Sequence, residues 1–209
     1  KGAVPILIGG DDSLPIPMLE AYAARGRTFT ILQIDAHIDW RDEVQGERLG
    51  LSSTMRRASE MQHVERIIQV GSRGIGSARE GDLADALAWG VQFVPAGEVA
   101  RSGVWRAVDL IPDGAEVIIC LDLDVLDPAI MPAVIGRTAG GLGYWQALEL
   151  IGAVAEKARI AGFDMVEFMP DRDVDGLGAT TAAQLLAAVL GVIARGVQGG
   201  VAAERARRF

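Results

Sequence analysis

Six short runs of Val, Ile, Leu and Phe with few charges recur along the chain: VPILI (4–8), FTILQID (29–35), RIIQVGS (66–72), VQFVP (91–95), EVIICLDLD (116–124) and FDMVEFM (163–169). Their length and β-branched content predict strands. Between them, apolar residues return at helical spacing over 15–25, 53–62, 79–89, 104–111, 144–161 and 180–195, which predicts helices. Near-continuous apolar strands alternating with helices belong to a parallel sheet covered on both faces, so the expected class is α/β, a three-layer α/β/α architecture with a central parallel sheet. No repeat, low-complexity tract or Ser/Pro linker divides the 209 residues, and a single domain spanning 1–209 is expected. The chain starts at Lys1 and enters a strand almost at once, so an N-terminal portion of the domain is expected to lie upstream.

Composition narrows the partners. The formal net charge is −8, which argues against a nucleic-acid surface, since phosphates require a surplus of Lys and Arg. A small cationic partner suits this balance better. Cys120 is the only cysteine, so no internal disulfide forms, and its place inside EVIICLDLD predicts a buried, inert thiol in a reducing compartment. No apolar run approaches the roughly 18 residues of a membrane span, and no secretory signal pattern is present. A cytoplasmic protein without a membrane partner is the expectation.

In open parallel sheets, ligands bind beyond the carboxyl ends of the strands. The segments found there are GGDDS (9–13), DAHID (35–39), GSRGIGS (71–77), DLDVLDP (122–128) and EFMPDRDVD (167–175), and all but the third carry carboxylates. At spacing two, Asp35, His37 and Asp39 fall on one side of an extended chain, as do Asp122 and Asp124. Anions clustered at one sheet rim repel by several kcal/mol in a partly dry site unless cations lie between them. Oxygen donors with a single nitrogen suit Mn²⁺ or a similarly hard ion, with Mg²⁺ an alternative, and the chain has no thiolate cage for Zn²⁺. Two ions sharing a carboxylate can activate one water, and that chemistry is hydrolysis. Asp127 precedes Pro128 and reads as a turn former, while His63, in a polar turn, is expected to face solvent. GSRGIGS lacks the Walker lysine of a phosphate loop.

Taken in order, GGDDS, DAHIDW, STMRRA, IIQVGSRG, CLDLDVLDP, GRTAGGLGYWQ and DMVEFMPDRDVDG span essentially the whole chain, and the set resembles the arginase–agmatinase (ureohydrolase) family. The resemblance implies an agmatinase-like hydrolase that holds two Mn²⁺ ions per subunit and assembles as a trimer or hexamer. Its substrate would be a small cationic guanidino compound, cleaved at a linear C–N bond to release urea. It further implies that Asp35 and Asp122 bridge both ions, that Asp12 and Asp39 complete the first site, and that His37 and Asp124 complete the second. Asp39 would carry the transferred proton and Glu167 would hold the guanidinium. The chain departs from the family pattern in three places. Asp12 stands where the family usually reads histidine in GGDHS, RLGLSS (48–53) lacks a histidine often found in that region, and Gly143 replaces a common Thr or Ser. These departures leave an alternative: a ureohydrolase fold with weak or no catalysis and a structural or regulatory binding role.

Overall fold

All six apolar runs are strands of a single parallel sheet: β1 (Ile6–Ile8), β2 (Phe29–Ile34), β3 (Val64–Val70), β4 (Gln92–Val94), β5 (Glu116–Asp122) and β6 (Arg159–Val166). The computed structural model describes residues 3–206, with side chains to residue 196. The strand order is β1-β6-β5-β2-β3-β4. After β2 the chain builds outward through β3 and β4, then returns to lay β5 on the other side of β2 and continues through β6. The order therefore reverses between β2 and β5, and the crevice expected at such a switch point opens just past their carboxyl ends. Those ends are Ile34 and Asp122.

Central position and apolar composition go together. Every residue of β2 is buried, as are all residues of β5 after Glu116. Each buried Ile, Leu or Phe of these strands contributes about 1.5–3 kcal/mol. Helices α1 (Pro15–Ala21), α2 (Thr54–Ser59) and α3 (Glu80–Trp89) cover one face, and Leu19, Met55 and Ala86 join Ile31 and Cys120 there. The other face is covered by α4 (Ala96–Ser102), α5 (Trp105–Leu110), α6 (Tyr144–Lys157) and α7 (Leu177–Ala206), through Val99, Val108, Leu150 and Leu185. The three-layer α/β/α arrangement follows directly, and Cys120 is buried within it.

Four boundaries or environments differ from expectation. The helix expected to run to 161 ends at Lys157, and β6 begins at Arg159 rather than 163, because Ala158 is extended (φ −137°, ψ 167°). Ile160 and Ala161 extend the apolar helical spacing of α6, yet Ile160 pairs with Val117 of β5 and Ala161 is the extra residue where the register shifts before Gly162. The short helix α4 follows Pro95 and contains Gly97, so its periodicity was too weak to signal it. His63 does not face solvent freely: its Nε2 lies 2.8 Å from the Leu19 carbonyl oxygen and its ring meets Phe29 edge-on. Finally, one helix among the described residues, over Leu177–Gly196, is long and apolar enough to cross a membrane. Ala, Gly and Thr dilute that stretch, so it does not read as an apolar run, although Leu185, Val189, Val192 and Ile193 are buried against the sheet layer.

Candidate metal centre

The site is built where β2 stops. The Asp35 amide still continues the ladder, donating to the Val70 carbonyl at 2.9 Å, after which the chain bends. Ala36 drops into the core and Ile38 is buried with only an edge on the cavity, while His37 and Asp39 line that cavity of about 190 Å³. The side-chain alternation expected from spacing holds, but the backbone is not extended throughout, since Asp39 takes a left-handed φ of 43°. Gly71, at the end of β3, is required for this approach. A Cβ there would lie 2.9 Å from the Asp35 carbonyl oxygen, and its φ of 108° is one that L residues rarely adopt.

Two groups of donors form, each with ligating atoms within 4.8 Å of one another: Asp12, Asp35 and Asp39, and Asp35, His37 and Asp124. Asp35 belongs to both. His37 Nδ1 lies 3.0 Å from Asp124 Oδ2 and 3.4 Å from Asp35 Oδ1. The loop backbone reinforces the arrangement, with the Ala36 amide donating to Asp124 Oδ1 at 3.1 Å and the His37 amide to Asp35 Oδ1 at 2.6 Å. Asp122 lines the same cavity but stands in neither group. Its Oδ1 accepts the Asp124 amide at 2.7 Å and so caps the 3₁₀ turn Leu123–Val125.

Glu167 follows β6 with a left-handed φ of 67°, and its amide donates to the Gly10 carbonyl at 2.7 Å. Its Oε1 accepts the Asp12 amide at 2.9 Å, so the β1 and β6 loops are stitched together at the cavity wall. The Thr54 hydroxyl donates to the Asp12 carbonyl and ties α2 to the same loop. Asp11, by contrast, is exposed and accepts from the Ser13 amide and hydroxyl. The paired acids of GGDDS therefore divide the work, Asp11 shaping the turn and Asp12 entering the site. Asp127 takes the amides of Ala129, Gly140 and Gly141, consistent with its reading as a turn former.

The electrostatics are those of a site short of positive charge. Burial, then the charge of Asp35, pushes the carboxyls of Asp12, Asp39, Asp122 and Asp124 upward. Asp35 also suffers burial, but hydrogen bonds from His37 and Asp39 outweigh it and leave its carboxyl lowered. His37 is pushed up to about 11 by hydrogen bonds to Asp124 and Asp35, so without a metal its imidazolium serves as a local cation. Burial raises Glu167 against the opposing Asp12 amide. Asp12 Oδ2 is buried without a hydrogen-bond partner, a costly state that a cation would relieve. Oxygen donors with one imidazole, one shared carboxylate and an orphaned buried oxygen fit hard divalent cations, whose binding would displace the protons held there.

Several residues around the centre were not expected. Gln33 donates to Asp35 Oδ2 at 2.8 Å and Asp39 Oδ2 at 2.6 Å. Arg73 threads three loops, donating to the carbonyls of Asp124 (2.8 Å), Leu126 (3.3 Å), Thr138 (2.8 Å) and Gly71 (3.3 Å). At Gly136 an added Cβ would lie 3.3 Å from His37 Cε1. Trp40, Leu51, Ser52 and Ile135 complete the walls. A polar Gln inside an apolar strand was the available signal for Gln33, whereas nothing in the spacing marks Arg73 or Gly136.

Known proteins share this arrangement of chain. The sequence is 30% identical over 193 residues to an agmatinase of Pyrococcus horikoshii, covering 92% of this chain and 64% of the relative. It is 33% identical over 195 residues to the N(1)-aminopropylagmatine ureohydrolase of Thermus thermophilus, covering 93% and 64%. Among solved structures, the proclavaminate amidino hydrolase of Streptomyces clavuligerus superposes with a TM-score of 0.82 at 30% identity, over 93% of this chain and 65% of that one. The chain thus spans about 64% of the length of the curated relatives it matches. A model of the arginase family matches residues 1–191, a range that holds every acid of the cluster, and with the parallel fold this places the chain in the arginase family.

Proposed function

We propose that the protein is a metal-dependent, agmatinase-like ureohydrolase that cleaves a linear C–N bond of a small guanidino compound and releases urea. The observation that carries this reading is the pair of donor groups sharing Asp35, set in a cavity that also holds Glu167. Asp12, Asp35 and Asp39 would hold one ion, and Asp35, His37 and Asp124 the other, with Asp122 completing the bridge between them. Mn²⁺ is the proposed metal, and when bound the pair supplies an activated water.

The remaining work falls to the chain. Glu167 would hold the guanidinium: one oxygen is committed to the Asp12 amide, and the other is left to take charge-assisted hydrogen bonds from the planar cation. Asp39 would accept and return the transferred proton, a role for which it stands at the cavity wall beside Asp35. Ile38, Trp40 and Ile135 present apolar surface that limits water around the reacting carbon. The relatives named above act on different guanidino compounds, and the loops that would choose among them lie partly outside this chain. We further propose a homo-oligomer, a trimer or hexamer, on the strength of the family, and a cytoplasmic location on the strength of the lone buried Cys120.

A specific observation favours a second reading. The cavity wall facing the centre carries Leu51 and Ser52, where a proton-shuttling histidine would otherwise be expected, and a ureohydrolase fold that binds without efficient turnover is consistent with this. Metal analysis combined with urea release over a panel of guanidino compounds separates the two. Two ions and urea from at least one compound support the enzyme. Fewer than one ion per chain, with no urea across the panel, supports the binding protein.

A further inference from the structure

We infer that Gln33 and Gln69 form an amide relay that positions Asp35 and Asp39 for cation binding, an assignment that rests on the metal-centre reading above. The two glutamines are register partners on β2 and β3, and each is 1% exposed. Neither lines the cavity, so neither is placed to touch substrate.

The relay has a direction. Gln69 Nε2 donates to the Ile38 carbonyl at 2.7 Å and also to Gln33 Oε1. With its oxygen thus engaged, Gln33 must turn its Nε2 toward the two carboxylates, and both of its protons are used there, at 2.8 Å on Asp35 and 2.6 Å on Asp39. A flipped Gln33 amide would set its oxygen against the Asp35 carboxylate and leave Asp39 without its donor. Gln69 cannot flip to allow this without abandoning the Ile38 carbonyl, and its own Oε1 is left buried without a partner as the cost of the arrangement. The anchor point is informative, because Ile38 lies directly before Asp39 with its left-handed backbone. One amide chain therefore fixes the loop backbone at 38 and the carboxylates on either side of it.

The relay is also asymmetric. Gln33 holds both Asp35 and Asp39 of the group with Asp12, but only the shared Asp35 of the other group, whose His37 and Asp124 receive nothing from it. Loss of the relay should accordingly weaken one ion site far more than the other. Outer groups that orient metal ligands are typically worth 10–100-fold in affinity.

Mn²⁺ titration calorimetry on the metal-free protein tests this, comparing the native chain with Gln33→Met, Gln69→Met and the double variant, each checked by circular dichroism and thermal unfolding. The expected result is that Gln33→Met weakens one of two Mn²⁺ sites about tenfold or more and the other by less than about threefold. Gln69→Met, which touches neither carboxylate, should weaken the same site, and the double variant should be no weaker than the worse single one. Should a Met variant not fold, the shorter Gln33→Asn, which keeps a polar amide but withdraws its donors from Asp35 and Asp39, should give the same selective loss. Variants that bind both ions as the native chain does, that weaken both sites equally, or that act additively overturn the relay while leaving the metal centre standing. A native chain that takes up no Mn²⁺ overturns the metal centre itself.

Discussion

Asp12 adds a carboxylate where the family pattern has an imidazole, so the loaded site carries one negative charge more than it would with histidine. A more negative centre releases the proton of its activated water less readily. Asp12→His should therefore move the rising limb of the activity profile, and with it the alkaline optimum, to lower pH, on the order of one unit, and a pH series of initial rates checks it. Asp164 supplies a second prediction. It sits on β6, fully buried, and both of its oxygens lack a hydrogen-bond partner. Burial pushes its carboxyl to about 7, with the Cys120 thiol moderating the rise. A folded-state value above the unfolded one means a stabilising contribution that is fully present below about pH 4 and lost as pH rises through about 7. The chain should lose stability across that window, and Asp164→Asn should flatten the loss, an effect on the order of a few kcal/mol in denaturant titrations. Asp35, His37, Asp39, Asp122 and Asp124 could be picked out in the sequence because spacing two after an apolar strand sets them on one side of the chain, whereas Asp12 was marked as a ligand only by the family pattern. Asp164 could not, since one acid inside FDMVEFM is indistinguishable from a strand residue facing solvent.

Among the elements, β2 and β5 were legible because burial on both faces demands unbroken apolar runs. The α6–β6 junction was not, because Ile160 and Ala161 satisfy either period and only the pairing of Ile160 with Val117 on β5 decides between them. The connecting loops were the least legible part, and Arg73 shows why: its partners are backbone carbonyls from segments far apart in the chain, which leave no trace in residue type. Its guanidinium holds the 71–76, 124–126 and 138 segments in one arrangement around the centre. Arg73→Met keeps the apolar stem but leaves those carbonyls unpaired, and should cost about 2–4 kcal/mol of stability by urea unfolding. Lys at the same position should recover only part of this, because a single ammonium cannot span the carbonyls that the planar fork reaches. On α7, Leu185 is fully buried against the sheet, and Leu185→Ala should cost about 2–5 kcal/mol in the same assay.

For the molecule as a whole, the acid cluster couples stability to cations and protons together. The parallel sheet converges Asp12, Asp35, Asp39, Asp122, Asp124 and Glu167 from four strand ends, and no Lys or Arg forms an ion pair with them among the described residues. In the metal-free chain the raised carboxyls of Asp12, Asp39, Asp122 and Asp124, and the raised imidazolium of His37, all act in one sense. Each favours the folded state when protonated, so each contribution fades as pH climbs through its folded value. Divalent cations held at the proposed centre would replace those protons and bind only the folded arrangement, and so would restore what deprotonation removes. The unfolding midpoint measured with Mn²⁺ should therefore exceed that measured with a chelator, and the gap should widen from about pH 5 to about pH 8. At a free concentration 1,000 times the dissociation constant, each site adds about 4 kcal/mol. A gap that stayed constant over that range would mean that the cations take up positions the protons do not hold, and the acids at the β2 and β5 strand ends would then need another role.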